Sequence, residues 1–474
     1  MKIVNFLKRH RLVISLSLLI VCFSFFCMFF LYLEPDYYWH ITAGKYMVTH
    51  HEILQHDVFS WIASGKYWMS HEWLFEVFLY GLKTIFGKFH VFIYCFFTVA
   101  GLGLFLFFTN LKSYLKNIPF ALLWITFFIL AFFTISCRPH LLSFFFLAIT
   151  IYLLRDLFYH PQSKKIYGLP LLSVLWANVH GGSSNLPYLL CLLFIFCGLF
   201  QFRFFKLEAV RIQKKQLITY FIVMLLCILA ICINPHGIKM VIYPYQNMSD
   251  SLMLTTIAEW QPTNLNNLSH YAYIVFVVFV FMTLIFSDKK IRMLDFVLFL
   301  FALYLGFKSI RFWFYAYIIS SFFIFYYVKS RKQDPFTVPL ISLIAVGFLS
   351  FFVIQFDYTS RLQQTSLSTK AIQVLKKEQP NRLYNEYDYG GYLIHEGILV
   401  FMDGRADLYS PYNYKDYQDI SRLAYDFTSL IEKYNFDCFV LKRKTGLSTF
   451  LANSSTYEQV FKDKNTVIYK KKTA

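Results

Sequence analysis

The segment Glu34-Pro35-Asp36-Tyr37-Tyr38-Trp39-His40 puts two carboxylates, an aromatic cluster and an imidazole directly after the first long apolar run of the chain. A carboxylate or imidazole within hydrogen-bond reach of a hydroxyl can take its proton. A guanidinium stays charged and grips an anion through parallel N–H donors. Both kinds of residue recur: His71 and Glu72 in SHEWLFE, Arg138 and His140 in SCRPHLL, and Asn178 and His180 in ANVHGG. Asn234 and His236 follow in INPHG, Glu259 in AEWQPTN, and Lys308 and Arg311 in FKSIRFW. What they can do together depends on the elements that carry them.

Those elements are mostly apolar. The 474 residues are 57% hydrophobic, 21% aromatic and 15% charged, against roughly a quarter charged in soluble domains, which points to a membrane protein. The net charge of +18 comes from Lys and Arg that punctuate apolar runs, as cytoplasmic loops do, and no basic module of a recognised kind is present; nucleic acid is therefore excluded as a partner. The nine cysteines fall mainly inside apolar segments, with neither a disulfide framework nor a Cys/His metal spacing. The basic start and long apolar run of the N-terminus predict an uncleaved first membrane helix.

Apolar runs at roughly 12–33, 89–109, 118–136, 141–154, 167–180, 186–202, 217–233, 271–286, 294–307, 312–328 and 337–355 predict about eleven spans, several shorter than the ~20 residues a bilayer demands. Taken from a cytoplasmic N-terminus, the inward pieces are MKIVNFLKRHR, NLKSYLKN, RDLFYHPQSKK, RFFKLEAVRIQKKQ, SDKKIR and KSRKQD, each with at least two basic residues. The fold class expected is thus a polytopic helical membrane domain over 1–355, with a first outer loop at about 34–88. A small extracytoplasmic α/β domain is expected over 356–474, where charged residues become common and long apolar runs stop. On this map every distinctive polar cluster falls on the outer face.

Each cluster also has a plainer use. Tyr37, Tyr38 and Trp39 suit an interfacial aromatic belt. His180 and His236 suit helix ends, whose orphan carbonyls need donors. Arg138 and Arg311 are costly at membrane depth and so are paired or functional. In the C-terminal region, Asp388 in YDYGGYL and Asp403, Arg405 and Asp407 in FMDGRADLY sit around expected Gly turns between short strands; Asp403 and Arg405 either pair with each other or clamp an anionic ligand. Glu76, inside LFEVFLYGL, reads as structural, and Asp57 in HDVFSW as a cap or turn residue.

The layout resembles the GT-C glycosyltransferase superfamily: a multi-spanning core, an acidic residue just outside the first helix, a long first outer loop and a C-terminal outer domain. EPDYYWHITAGKYM resembles the acidic first-loop motif, with Asp36 matching its catalytic carboxylate best and Glu34 after it. EYDYGGYL is similar to the WWDYG motif of oligosaccharyltransferase catalytic subunits through Asp388-Tyr389-Gly390, although Glu386-Tyr387 stands where the tryptophan pair belongs. The pattern also resembles bacterial integral membrane proteins of uncharacterised function.

The resemblance implies an inverting enzyme that moves a sugar from a polyprenyl-phosphate-linked donor to a cell-envelope glycan or lipid acceptor at the outer face. Asp36 is then the expected base, with His71 and Glu72 as second candidates or, with Asp36, as ligands of a divalent Mg or Mn ion. Arg138 and Arg311 are expected at the leaving phosphate. His40, His140, His180, Asn234, His236, Glu259, Asp388, Asp403 and Arg405 complete the expected substrate contacts. The alternatives are an envelope polysaccharide polymerase or ligase, and a non-enzymatic transporter of lipid-linked glycan.

Overall fold

The computed structural model describes residues 2–28, 31, 33–110, 115, 117, 120–121, 123–125, 136–250, 254, 257–267, 270–329 and 367–472. Most of the expected span 118–136, all of 337–355 and the expected domain boundary near 355 lie outside the described residues. The chain divides into two compact units. One comprises Met1–Leu31, Val91–Tyr245 and Thr255–Tyr358; the other comprises Tyr32–His90, Gln246–Leu254 and Thr359–Ala474. The first outer loop, which hydropathy grouped with the membrane domain, packs with the C-terminal residues in the second unit.

The first unit is helical. Among the described residues of the chain, five helical stretches are long and apolar enough to cross a membrane: His10–Cys27, Trp73–Thr109, His140–Tyr159, Gly181–Leu199 and Lys214–Ile231. Tyr271–Phe286 is apolar but shorter. Leu169–Val179, Met293–Lys308 and Trp313–Ser321, where further spans were expected, are helices of 11, 16 and 9 residues. They stop early for local reasons: Gly181 and Gly182 follow the first, and Ser309 leaves the helical conformation after the second. A small sheet lies against helix Met293–Lys308. Strands β1 (Phe202–Phe204) and β2 (Leu207–Ala209) form a hairpin, and β3 (Ile291–Arg292) lies parallel to β2.

In the second unit, helix Pro35–His50 begins with Glu34 extended at the N-cap and proline in its first turn, whose missing N–H needs no partner. It ends at His51 in the left-handed region. This helix packs against Trp73–Phe86 and Tyr387–His395. The C-terminal residues form a sheet in the order β4 (Leu383–Asn385), β5 (Cys438–Lys442), β7 (Thr466–Lys471), β6 (Tyr457–Lys462). β4 and β5 are parallel and the other pairs antiparallel. A parallel pair needs a crossover, and here it carries the helices between β4 and β5. Helix Thr369–Glu378 precedes the sheet, capped by the Ser368 hydroxyl on the Ala371 amide at 3.2 Å.

The segment YDYGGYLIH departs from the expected strands and turns: it is the helix Tyr387–His395. Its glycines serve close helix packing, since a Cβ on Gly391 would run into the Pro35 carbonyl oxygen and approach Trp39. Replacing Gly391 with alanine therefore lowers thermal stability by about 1–3 kcal/mol, the usual cost of overpacking. Gly81→Ala, with nothing within 4 Å of its added Cβ, is the matched helical control; equal unfolding temperatures for the two variants in detergent would contradict this packing role.

Candidate functional site

Asp36 stands in the first turn of helix Pro35–His50, half-buried. The Trp39 indole donates to its Oδ1 at 3.2 Å. Gly404 lies directly beneath the carboxylate, where any Cβ would collide with Asp36 Oδ1. The Tyr387 hydroxyl donates to the Gly404 carbonyl at 3.3 Å. The seat of this acid is thus made by its own helix together with residues from both C-terminal motifs. The donor on Oδ1 is neutral, so this contact orients the carboxylate without cancelling its charge.

Beside it runs a row of alternating carboxylates and imidazoles. Glu76, fully buried, accepts from Ser70 Oγ at 3.1 Å and faces His40 Nδ1 at 3.2 Å. His40 Nε2 lies 3.5 Å from Glu72, and the other Glu72 oxygen lies 3.4 Å from His71 Nε2. The Trp39 ring covers His40, with centroids 3.6 Å apart. His40 is only 1% exposed, so it acts within this row and offers no surface to a substrate. Burial alone would lower the His71 pKa, but the Glu72 carboxylate, with Asp407 and the Met69 carbonyl, outweighs burial and raises it.

Asp403 and Arg405 take the first of their two expected roles: they pair. The Arg405 side chain is wholly enclosed, with Nε 2.8 Å and one terminal nitrogen 2.7 Å from the two Asp403 oxygens. Its other terminal nitrogen reaches Asp57 at 2.6 Å. The Tyr409 hydroxyl also donates to Asp403, and the Trp68 ring lies 4.8 Å from the guanidinium. Asp57 caps its own turn through the Phe59 and Ser60 amides at 3.2 and 3.0 Å. This cluster is out of reach of a substrate and serves the fold. Sequence pattern offered Asp57 as a cap but carried no signal for its ion pair, because Arg405 lies 348 residues away.

The first unit holds a second cluster. Glu259 accepts from Arg138 and Arg311, each at 3.1 Å. Arg311 lies over Trp260, 5.0 Å from the ring centroid, and 3.3 Å from His180 Nε2. His180 Nδ1 is held by Ser143 and Ser183 at 2.6 and 2.9 Å, and the Trp176 indole donates to both hydroxyls. Burial pushes the Glu259 pKa up, but Arg138 and Arg311, with His140, overcome it and hold the group at about 2. Glu259 retains 35% exposure and the arginines 18% and 20%, so the cluster is open to solvent. Two guanidinia thus share one carboxylate.

Asn234 makes a turn, accepting from the His236 amide at 2.6 Å and donating to the Ile231 and Gly237 carbonyls. Asp388 is exposed and pairs with Lys442. Among the described residues, no three His, Cys, Asp or Glu side chains converge as metal ligands would. Asp36, His71 and Glu72 do not converge in this way.

No protein-family model and no curated protein matches the chain. Among solved structures, it is similar to the Archaeoglobus fulgidus oligosaccharyltransferase tethered through a disulfide bond to an acceptor peptide containing the NVT sequon. That match has 11% identity and a TM-score of 0.48, over 92% of this chain and 70% of the other. The apo form of the same protein matches at 11% identity and a TM-score of 0.41, over 86% and 65%.

Two outcomes test the second-unit geometry. Arg405→Lys strands one of the two buried carboxylates and destabilises the protein by about 3 kcal/mol or more in denaturant unfolding. His71 titrates above 6.5 in NMR of histidine-labelled protein, and Glu72→Gln brings its pKa down. Because the folded value is the higher one, His71 contributes stability that is complete below pH 6.5 and fades as pH rises through the folded value.

Proposed function

We propose that this membrane protein is a glycosyltransferase that moves a sugar from a polyprenyl-phosphate-linked donor to a cell-envelope glycan or lipid acceptor at the outer face of the membrane. The observation that carries this reading is the seat of Asp36: a half-buried carboxylate fixed by the Trp39 indole against bare Gly404 backbone. A base must be positioned, and the indole N–H on one oxygen together with the bare backbone beneath it orients this carboxylate.

In this reading the Asp36 carboxylate takes the proton of the acceptor hydroxyl. The hydroxyl oxygen forms its bond to the anomeric carbon as the bond from that carbon to the phosphate oxygen breaks, and the leaving phosphate keeps the electron pair. A direct displacement of this kind inverts the anomeric centre. Arg138 and Arg311, in the first unit, are the cations this reading assigns to an anionic group of the donor, since preorganised cations favour developing negative charge. Glu259 keeps the two guanidinia side by side, where one anionic ligand would meet both.

Asp36→Asn in the full-length, reconstituted protein lowers transfer from a polyprenyl-phosphate-linked sugar by about 100-fold or more, with the unfolding temperature unchanged. Retention of full activity would remove Asp36 from the mechanism. Arg138→Gln and Arg311→Gln each cost about 100-fold in the same assay, whereas Asp388→Asn, at an exposed pair, leaves the rate near that of the parent.

A further inference from the structure

A cavity of about 360 Å³ in the first unit belongs to none of these clusters. It is walled by Tyr159 at the end of helix His140–Tyr159, by Glu208, Arg211 and Ile212 on the exit from the β1–β2 hairpin, and by Arg292 and Met293 where β3 passes into a helix. Its chemistry is mixed: apolar walls with two guanidinia. Arg292 is held in place by aromatic faces, 3.7 Å from the Tyr326 centroid and 5.1 Å from that of Tyr159. Arg211 is exposed. Glu208 is the one acid of the lining and already lies 3.8 Å from Arg203. Asp295, the next acid along the chain from Arg292, is taken up by Arg155 at 2.6 Å and Tyr327 at 2.8 Å. The lining therefore has one positive charge in excess, the complement of a phosphodiester.

The hairpin that supplies one wall has an unusual tip. Phe204 and Phe205 are 66% and 87% exposed. Phe205 has φ 48°, a left-handed conformation that bulky residues seldom adopt, and it turns an aromatic ring outward. Arg203 and Lys206 flank the pair. Exposed aromatic rings between basic residues belong to a membrane interface, where the rings enter the headgroup region and the cations meet lipid phosphates. RFFKLEAVRIQKKQ is also one of the basic segments that charge placement assigns to the inner side.

We propose that this cavity binds the phosphate of an anionic membrane phospholipid, with Phe204 and Phe205 lodged in the bilayer interface beside it. Free phosphate shares the headgroup chemistry, but it would use neither the apolar wall nor the aromatic tip. The site is separate from the residues assigned to sugar transfer and stands or falls independently of them.

The test is thermal unfolding of the full-length protein in a neutral detergent. Phosphatidylglycerol raises the unfolding temperature in a saturable way, and phosphatidylcholine at the same mole fraction does not. Arg211→Gln, at an exposed position that leaves the fold intact, weakens the apparent phosphatidylglycerol affinity about fivefold, the usual worth of one interfacial cation. Phe205→Ser weakens it as well. Lys164→Gln, an exposed cation of another inner segment outside the cavity lining, keeps the parent affinity. Equal stabilisation by the two lipids, or an equal loss in Lys164→Gln and Arg211→Gln, overturns the site. Inorganic phosphate reproducing the whole effect overturns the lipid assignment.

Discussion

A guanidinium with no exposed surface is tolerable only if its charge is matched and its donors are taken up. Arg405 meets that demand with Asp403, two residues before it, and Asp57, far away in the first loop. Much of the second unit depends on this one solution. Asp57 cannot reach Arg405 unless the loop after the first helix lies against the C-terminal residues. Once it does, Gly404, next to the arginine, comes under Asp36, and Gly391 comes under Pro35. A buried ion cluster thereby sets the position of an acid that it never touches.

The same electrostatic rule shapes the first unit with a different result. Glu259 holds Arg138 and Arg311 together, much as Asp295 holds Arg155. Asp295 is fully buried and its arginine largely so, which makes that pair part of the framework. The Glu259 cluster is left partly open. Side chains of the same kinds are thus structural or available to a ligand according to solvent access. His180 is held by two serines and touches Arg311, so it helps to fix a cation and is more than a helix-end donor.

His40 shows how neighbouring residues in one motif diverge. Asp36 and His40 are one helical turn apart, yet Asp36 keeps some access to solvent while His40 lies under Trp39 between two glutamates. The indole of Trp39 contributes to both outcomes: its N–H orients the acid and its face covers the imidazole. A residue that suited an interfacial belt by composition is a central part of the local architecture.

Composition and charge placement by themselves determined the membrane character and the stretches of apolar helix. These follow from local facts: apolar runs of sufficient length, basic residues at their ends, and the cost of placing charge among them. Only the tertiary structure decided that YDYGGYLIH is a helix whose glycines admit another backbone, since Gly-Gly suits a turn equally well until a neighbour is present. It also decided that Arg405 serves the fold, and that Arg138 and Arg311 share one carboxylate. Pairing between residues that lie tens to hundreds of positions apart leaves no periodic trace in the chain. Whether a charged side chain is buried or open is set by what packs around it, not by its own identity.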